Sequence, residues 1–386
     1  MRPSHEGAAP DVGTAELLFD LVYVFAIIQL SHHLLAHLSV HGAAETLVLF
    51  LAVWWGWNYT AWAMNWLDPD HAAVRLLLAG LMLPALAMAI AIPDAFGANA
   101  GLFAGAYLVL QLTRSAFMVY AFRGRLMARN YAQLLAWSGL AGVFWLAGVF
   151  VGDDARLVVW AIAVVIDYAA PLAGFALPRV GATKMSDWPL AWEHLAERNR
   201  LVFIIALGES ILILGFTLSE TELTPATVAA AVIGFATMVL LWWLYFSYRL
   251  GNVTGTLTRD VDATTMARGA YAYAHAVMVG GAIVIAVGIE EVTVHPLHHV
   301  TWGVAGVVLG GPALYLAGNI VFNRARSGVV PRSRLVALAA LAVVVPFAPL
   351  LPALALSAVA MLVLLVLAAA TGELRARPDR QVRCAD

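Results

Sequence analysis

Charge is scarce in this chain. Only 12% of its 386 residues are Asp, Glu, Lys or Arg, about half of what a soluble domain carries. With 62% hydrophobic residues, it has too little polar surface for a water-soluble globule. Cysteine is nearly absent as well: the single Cys384 stands close to the C-terminus. An intrachain disulfide and a thiolate metal site are thereby excluded, leaving only a bridge between chains. No basic patch accompanies the formal net charge of −2, so nucleic acid is not an expected partner. Also missing are the short alternating segments of a membrane β-barrel and any ATP-binding motif. What recurs instead is long apolar runs, so the expected fold is all-α and polytopic, with the lipid bilayer as its partner.

Runs of membrane-spanning length fall near 16–38, 44–67, 73–93, 99–122, 131–151 and 156–177. A second set falls near 200–218, 226–249, 268–290, 299–322, 334–351 and 353–371. Twelve crossings are expected, with eleven as the alternative. The last two are separated only by the turn that Pro346, Pro349 and Pro352 mark. With both termini placed in the cytoplasm, every Lys and Arg except Arg114 and Arg156 falls on the cytoplasmic side, as the positive-inside rule requires. The chain then divides into an N-terminal tail (1–15), six helices (16–177), a linker (178–199), six more helices (200–371) and a basic tail (372–386). Within the linker, Trp188, Trp192 and Leu195 recur at helical spacing, which predicts a short amphipathic helix on the membrane surface. The segment from Asp20 to Gln29 aligns without a gap on Arg200 to Glu209, and Trp54-Trp55 has a counterpart in Trp242-Trp243. Two parallel six-helix repeats are expected, an arrangement common in transporters.

Four charged residues fall inside spans: Asp20, Arg114, Asp167 and Glu209. At about 2.5–3.5 kcal/mol each near the bilayer centre, they have to pair, face the bundle interior or stay neutral. Arg114 is expected to pair with one acid. One cation cannot neutralise three acids, so Glu209, Asp20 and Asp167 are the candidate proton or ion-coupling groups. Glu209 lies about halfway along its span, between Gly208 and Ser210. Asp20 and Glu16 share a face one turn apart near the cytoplasmic interface. They form either a dipole-compensating pair at a helix start or an acidic mouth. Gln29, His32 and His33 continue the same helix and complete, with Glu16 and Ser210, a candidate solute or ion path. His295, His298 and His299 lie beside Glu290 and Glu291. They are either solvated loop residues or a divalent-metal site; no other cofactor is expected. Trp54, Trp55, Trp57, Trp62 and Trp66 crowd the second span, as interfacial belt and packing or as the lining of a cation or aromatic solute site.

The stretch from Glu16 through Phe19-Asp20 to Gln29 and His32-His33 resembles the opening motif of the bacterial low temperature requirement A (LtrA) family. His194-Leu-Ala-Glu-Arg198, followed by Ile204-Ile-Ala-Leu-Gly-Glu-Ser210, resembles its second motif. The matching positions are Glu16, Asp20, Gln29, His32, His33, His194, Glu197, Arg198, Glu209 and Ser210. Asn199-Arg200 departs from the aromatic or glycine expected there. The resemblance implies a multi-pass protein of the bacterial cytoplasmic membrane, with His194, Glu197 and Arg198 as a cytoplasmic motif. It implies no substrate. A fainter likeness links Phe19-Asp20 to the first helix of lysosomal-type potassium and proton channels. The expected function is a proton-coupled secondary transporter of a small solute. The alternatives are a cation or proton channel lined by Asp20, and a membrane-embedded metal or redox enzyme using the outer His and Glu residues; an enzyme is the less favoured class. The oligomeric state stays open between monomer and homodimer.

Overall fold

The computed structural model describes residues 12–184, 187–188, 190–246 and 263–371. The N-terminal tail up to residue 11, the basic tail from 372 with Cys384, and the arginines at 249 and 259 lie outside the described residues. Among the described residues the chain is helical, with two isolated β-bridges. The first half comprises α1 (Thr14–Ala36), α2 (Val40–Met64), α3 (Ala72–Ala91), α4 (Ala100–Ala121), α5 (Leu126–Val149) and α6 (Asp153–Ala169). The second comprises α7 (Trp192–Glu220), α8 (Pro225–Phe246), the short α9 (Ala263–Ala267), α10 (His275–Val294), α11 (Trp302–Ser327), α12 (Arg332–Val344) and α13 (Ala353–Ala370). A π-helical segment, Arg268–Ala274, joins α9 to α10.

Local chemistry sets several boundaries. Ser39 accepts a hydrogen bond from the Gly42 N–H at the start of α2, and Thr301 accepts one from Val304 at the start of α11. Gly328, at φ 69°, ends α11 in the left-handed conformation that glycine adopts without a Cβ penalty. The proline-rich stretch after α12 tightens into a 3-10 turn, Val345–Leu350. Backbone bonds then tie that turn to the α10–α11 loop: Ala353 donates to His298 and Leu354 to Pro296, at 3.0 and 2.9 Å.

Among the described residues, ten helices are long and apolar enough to cross a membrane. Of the twelve crossings expected, the second and sixth fall short of those criteria. α2 is 25 residues long but rich in indole and polar side chains, and α6 has 17 residues. The surface helix expected in 178–199 is also corrected. Trp192 begins α7, which runs unbroken to Glu220, and Trp188 and Leu195 are buried. Trp188 and Leu195 therefore pack inside the protein, while Trp192 is half-buried.

The two halves share a neighbour scheme. In the first, α1 packs on α2 and α3, then α3 on α4, α4 on α5, α5 on α6, and α2 on α6. The second repeats it with α7, α8, α10, α11, α12 and α13 in those places. Glycine allows the closest of these contacts, between α10 and α11. A Cβ on Gly281 would lie 2.7 Å from the Tyr315 backbone nitrogen, and one on Gly318 would lie 2.8 Å from that of Met278. Small residues at such crossings bring backbones together where lipid supplies no hydrophobic drive. Between the halves, α1 lies against both α7 and α10.

Candidate functional site

α1 and α7 run parallel, and a ladder of polar pairs joins them. Glu16 faces His194, Asp20 faces Arg198, and Ser31 faces Glu209, each pair separated by 178 residues. The constant offset follows from helix periodicity. Positions 16, 20, 27 and 31 fall on one stripe of α1, and 194, 198, 202 and 209 on one stripe of α7.

At the N-terminal end of the ladder, Arg198 donates to Glu16 Oε1 at 2.7 Å and to Asp20 Oδ1 at 2.5 Å. His194 Nε2 lies 3.0 Å from the same Glu16 oxygen. All four side chains are fully buried. The Gly13 N–H donates to Glu16 Oε2 at 2.8 Å, and the Trp57 indole N–H donates to Asp20 Oδ1 at 2.8 Å. Just past the end of α2, Asn65 clamps Ala191 by donating to its carbonyl and accepting from its N–H, at 2.9 and 2.8 Å. Asp20 is therefore not an open acidic mouth: a guanidinium covers it. His194 and Arg198, expected in a cytoplasmic linker, are buried in α7. Only Glu197 of that motif reaches the surface, where it accepts from Arg200 at 3.0 Å.

Further along the seam, Ser31 donates to Glu209 Oε1 at 2.6 Å. Glu209 is fully buried, its Oε2 has no hydrogen-bond partner among the described residues, and no cation pairs with it there. The adjacent Ser210 hydroxyl, 2% exposed, is likewise without a partner.

A third buried network lies inside the first half. Arg114 donates to the Gly56 carbonyl and to Thr60, both at 3.2 Å, and to the Gln111 side-chain carbonyl. Gln111 donates to Tyr107 at 2.7 Å, and Tyr107 donates to Asp167 at 2.7 Å. Arg114 thus makes no ion pair with an acid among the described residues. Instead a two-residue relay links it to Asp167, which also accepts from Trp145 at 3.4 Å.

The remaining expected residues scatter. Gln29 is half-buried and His32 is exposed. His33 is buried 3.6 Å from Glu45, which also meets His41 at 3.2 Å. His295 and His298 stack with ring centres 4.7 Å apart on the surface, near exposed His299. Glu290 and Glu291 stay half-buried on α10. No group of three or more His, Cys, Asp or Glu among the described residues is arranged to hold a metal ion. Of the five tryptophans in and after α2, Trp54, Trp55 and Trp57 are packed in the interior, with Trp54 donating to the Ala272 carbonyl at 2.8 Å, and Trp62 and Trp66 are half-buried.

Sequence reasoning missed Asn65, Tyr107, Gln111 and Glu45, and named Trp57 without its role as the donor to Asp20. Tyr107, Gln111 and Arg114 recur at i, i+4 and i+7, so a shared helix face was the available signal for the relay. For Trp57 and Asn65 there was none, because their partners lie on other helices.

The model of the bacterial low temperature requirement A protein (LtrA) family matches residues 11–369. The chain belongs to the LtrA family. It is also 39% identical over 329 residues to an uncharacterized protein of Rhizobium meliloti (strain 1021), covering 84% of this chain and 80% of that one. Both sides of the α1–α7 seam fall within the matched region. In this LtrA protein the buried Glu16, Asp20, Arg198 and Glu209 lie where the two halves meet, while Glu45, Arg114, Arg156, Asp167 and Arg334 are buried elsewhere.

Proposed function

We propose that this LtrA protein is a secondary transporter that couples a small solute to an ion gradient, with Glu209 as the group that carries the proton. One observation carries this: Glu209 is a fully buried carboxyl with a single hydroxyl donor and no cation among the described residues. A carboxyl in such a place is stable only if it binds a proton or a cation. Asp20 is set apart by Arg198, and Asp167 by two neutral donors, Tyr107 and Trp145, where Glu209 has one, so neither matches Glu209 as an exchanging group. The shared neighbour scheme and the parallel α1–α7 seam support two six-helix repeats with the solute path between them. In this proposal α2 and α6 also cross, giving twelve spans, and both termini face the cytoplasm of a bacterial inner membrane.

The test uses purified protein in liposomes that hold a pH-sensitive dye. Addition of a library of small solutes is expected to drive proton movement with at least one of them, and Glu209→Gln is expected to abolish it. Full proton-linked flux in Glu209→Gln would end the proposal. Proton or potassium movement without any solute, lost in Asp20→Asn, would make the protein a channel instead.

A further inference from the structure

The charged end of the seam does more than hold two helices together. Asp20 and Ser31 are eleven residues apart on α1, so the Arg198 cluster lies about 16 Å along the helix from the Ser31–Glu209 pair. The stripe between them is buried, with Tyr23, Ala26 and Ile27 on α1 and Val202 and Ala206 on α7, and apolar except for the Tyr23 hydroxyl, which has no hydrogen-bond partner among the described residues. Anything that reaches Glu209 from the N-terminal end of α1 along this seam has to pass the cluster first.

Apolar side chains would have closed that end as well, because a buried ion pair returns little more than its desolvation costs. What distinguishes charge from an apolar plug is the open state. Separated ions are rehydrated, whereas separated apolar faces stay exposed to water without compensation. The cluster is also incompletely bonded when closed. Asp20 Oδ2 and Arg198 Nε have no hydrogen-bond partner among the described residues, although both atoms are buried. Its members come as two blocks: Glu16 and Asp20 one turn apart on α1, His194 and Arg198 one turn apart on α7. A shift of the start of α7 against α1 breaks all three contacts at once. Asn65 holds that start through Ala191, from a third helix.

We propose that Glu16, Asp20, His194 and Arg198 form a gate, closed in this structure, at the end of the path that leads to Glu209. The path's role in transport rests on the function proposed above; the gate's opening does not, and it is measured without any solute.

The experiment places a reporter thiol behind the gate. Cys384→Ser removes the native cysteine, and Ala206→Cys puts one on the seam stripe between Arg198 and Glu209. A membrane-impermeant methanethiosulfonate is applied to vesicles, from each side in turn. Slow modification is expected with the gate intact. Asp20→Asn with Arg198→Gln removes one charge of each sign and leaves Glu16 with His194, so the cluster stays balanced. In that background the modification rate from the Glu16 side is expected to rise at least tenfold, with the rate from the other side unchanged. Trp57→Phe, which removes only the donor to Asp20, should give a smaller rise and serves if the double variant fails to fold. An unchanged rate in folded gate variants, or fast modification with the gate intact, would overturn the proposal. A tenfold rise alongside full proton flux in Glu209→Gln would leave the gate standing and refute Glu209 as the coupling group.

Discussion

Replacing Arg198 by glutamine would leave two fully buried carboxyl groups with one imidazole between them. Glu16 keeps His194 at 3.0 Å and the Gly13 N–H at 2.8 Å. Asp20 keeps only the Trp57 donor at 2.8 Å and, if ionised, has no counter-charge among the described residues. Removing one partner of a buried ion pair costs about 3–5 kcal/mol, chiefly through the charge left behind. With an unfolding entropy of about 2 cal/mol/K per residue, that loss lowers the melting temperature of a chain this long by about 4–6 °C. The helices persist in detergent, so the entropy of the observed transition is smaller and the shift larger. Thermal stability in mild detergent, followed by fluorescence-detected size exclusion, measures it. Arg198→Gln combined with Glu16→Gln and Asp20→Asn removes the orphaned charges and is expected to recover most of the loss. If Arg198→Gln melts within a degree of the unaltered protein, or if the triple variant melts no higher than the single one, the ion-paired cluster does not exist as described.

Arg114→Leu is expected to destabilise by roughly 3 kcal/mol, because three acceptors lose a buried charged donor. Asp167→Asn should recover part of this through the Gln111–Tyr107 relay, whereas Glu209→Gln should not. Equal rescue by both would break the assignment. Tyr107→Phe removes the link itself and should cost about 1–2 kcal/mol, shrinking the Arg114–Asp167 coupling in a double-mutant cycle. At the α10–α11 contact, Gly281→Ala drives a Cβ against the Tyr315 backbone and should lower stability by about 1–3 kcal/mol. Gly306→Ala on α11 meets nothing within 4 Å and should leave the melting temperature unchanged or slightly raised.

Much of the site was visible in the chain before its fold. Asp20, Glu209, Asp167 and Arg114 stand out because a charge inside an apolar run is expensive wherever the helices end up. Their partners were not visible. Arg198 looks like a cytoplasmic arginine in a linear pattern, since nothing local shows that α7 begins at Trp192 and carries it into the interior. Arg114 invites pairing with an acid by charge alone, yet Gln111, Tyr107 and Thr60 take its donors. Five tryptophans in one segment suggest a membrane belt, but Trp57 turns out to be a donor to a buried carboxylate. The criterion that makes ten spans plain, unbroken apolar length, is the one that α2 and α6 fail: α2 faces other helices along much of its surface and needs less apolarity.

By itself, then, the sequence determined the solvent, the helical class and the identity of the costly residues. These depend on composition and on the free energy of moving side chains between water and lipid, which are local properties. The tertiary structure alone decided which charges neutralise one another. That depends on contacts across 178 residues of chain, and neither helical periodicity nor hydropathy carries information over that distance. It is this pairing that closes Asp20 behind Arg198 and leaves Glu209 with a single serine.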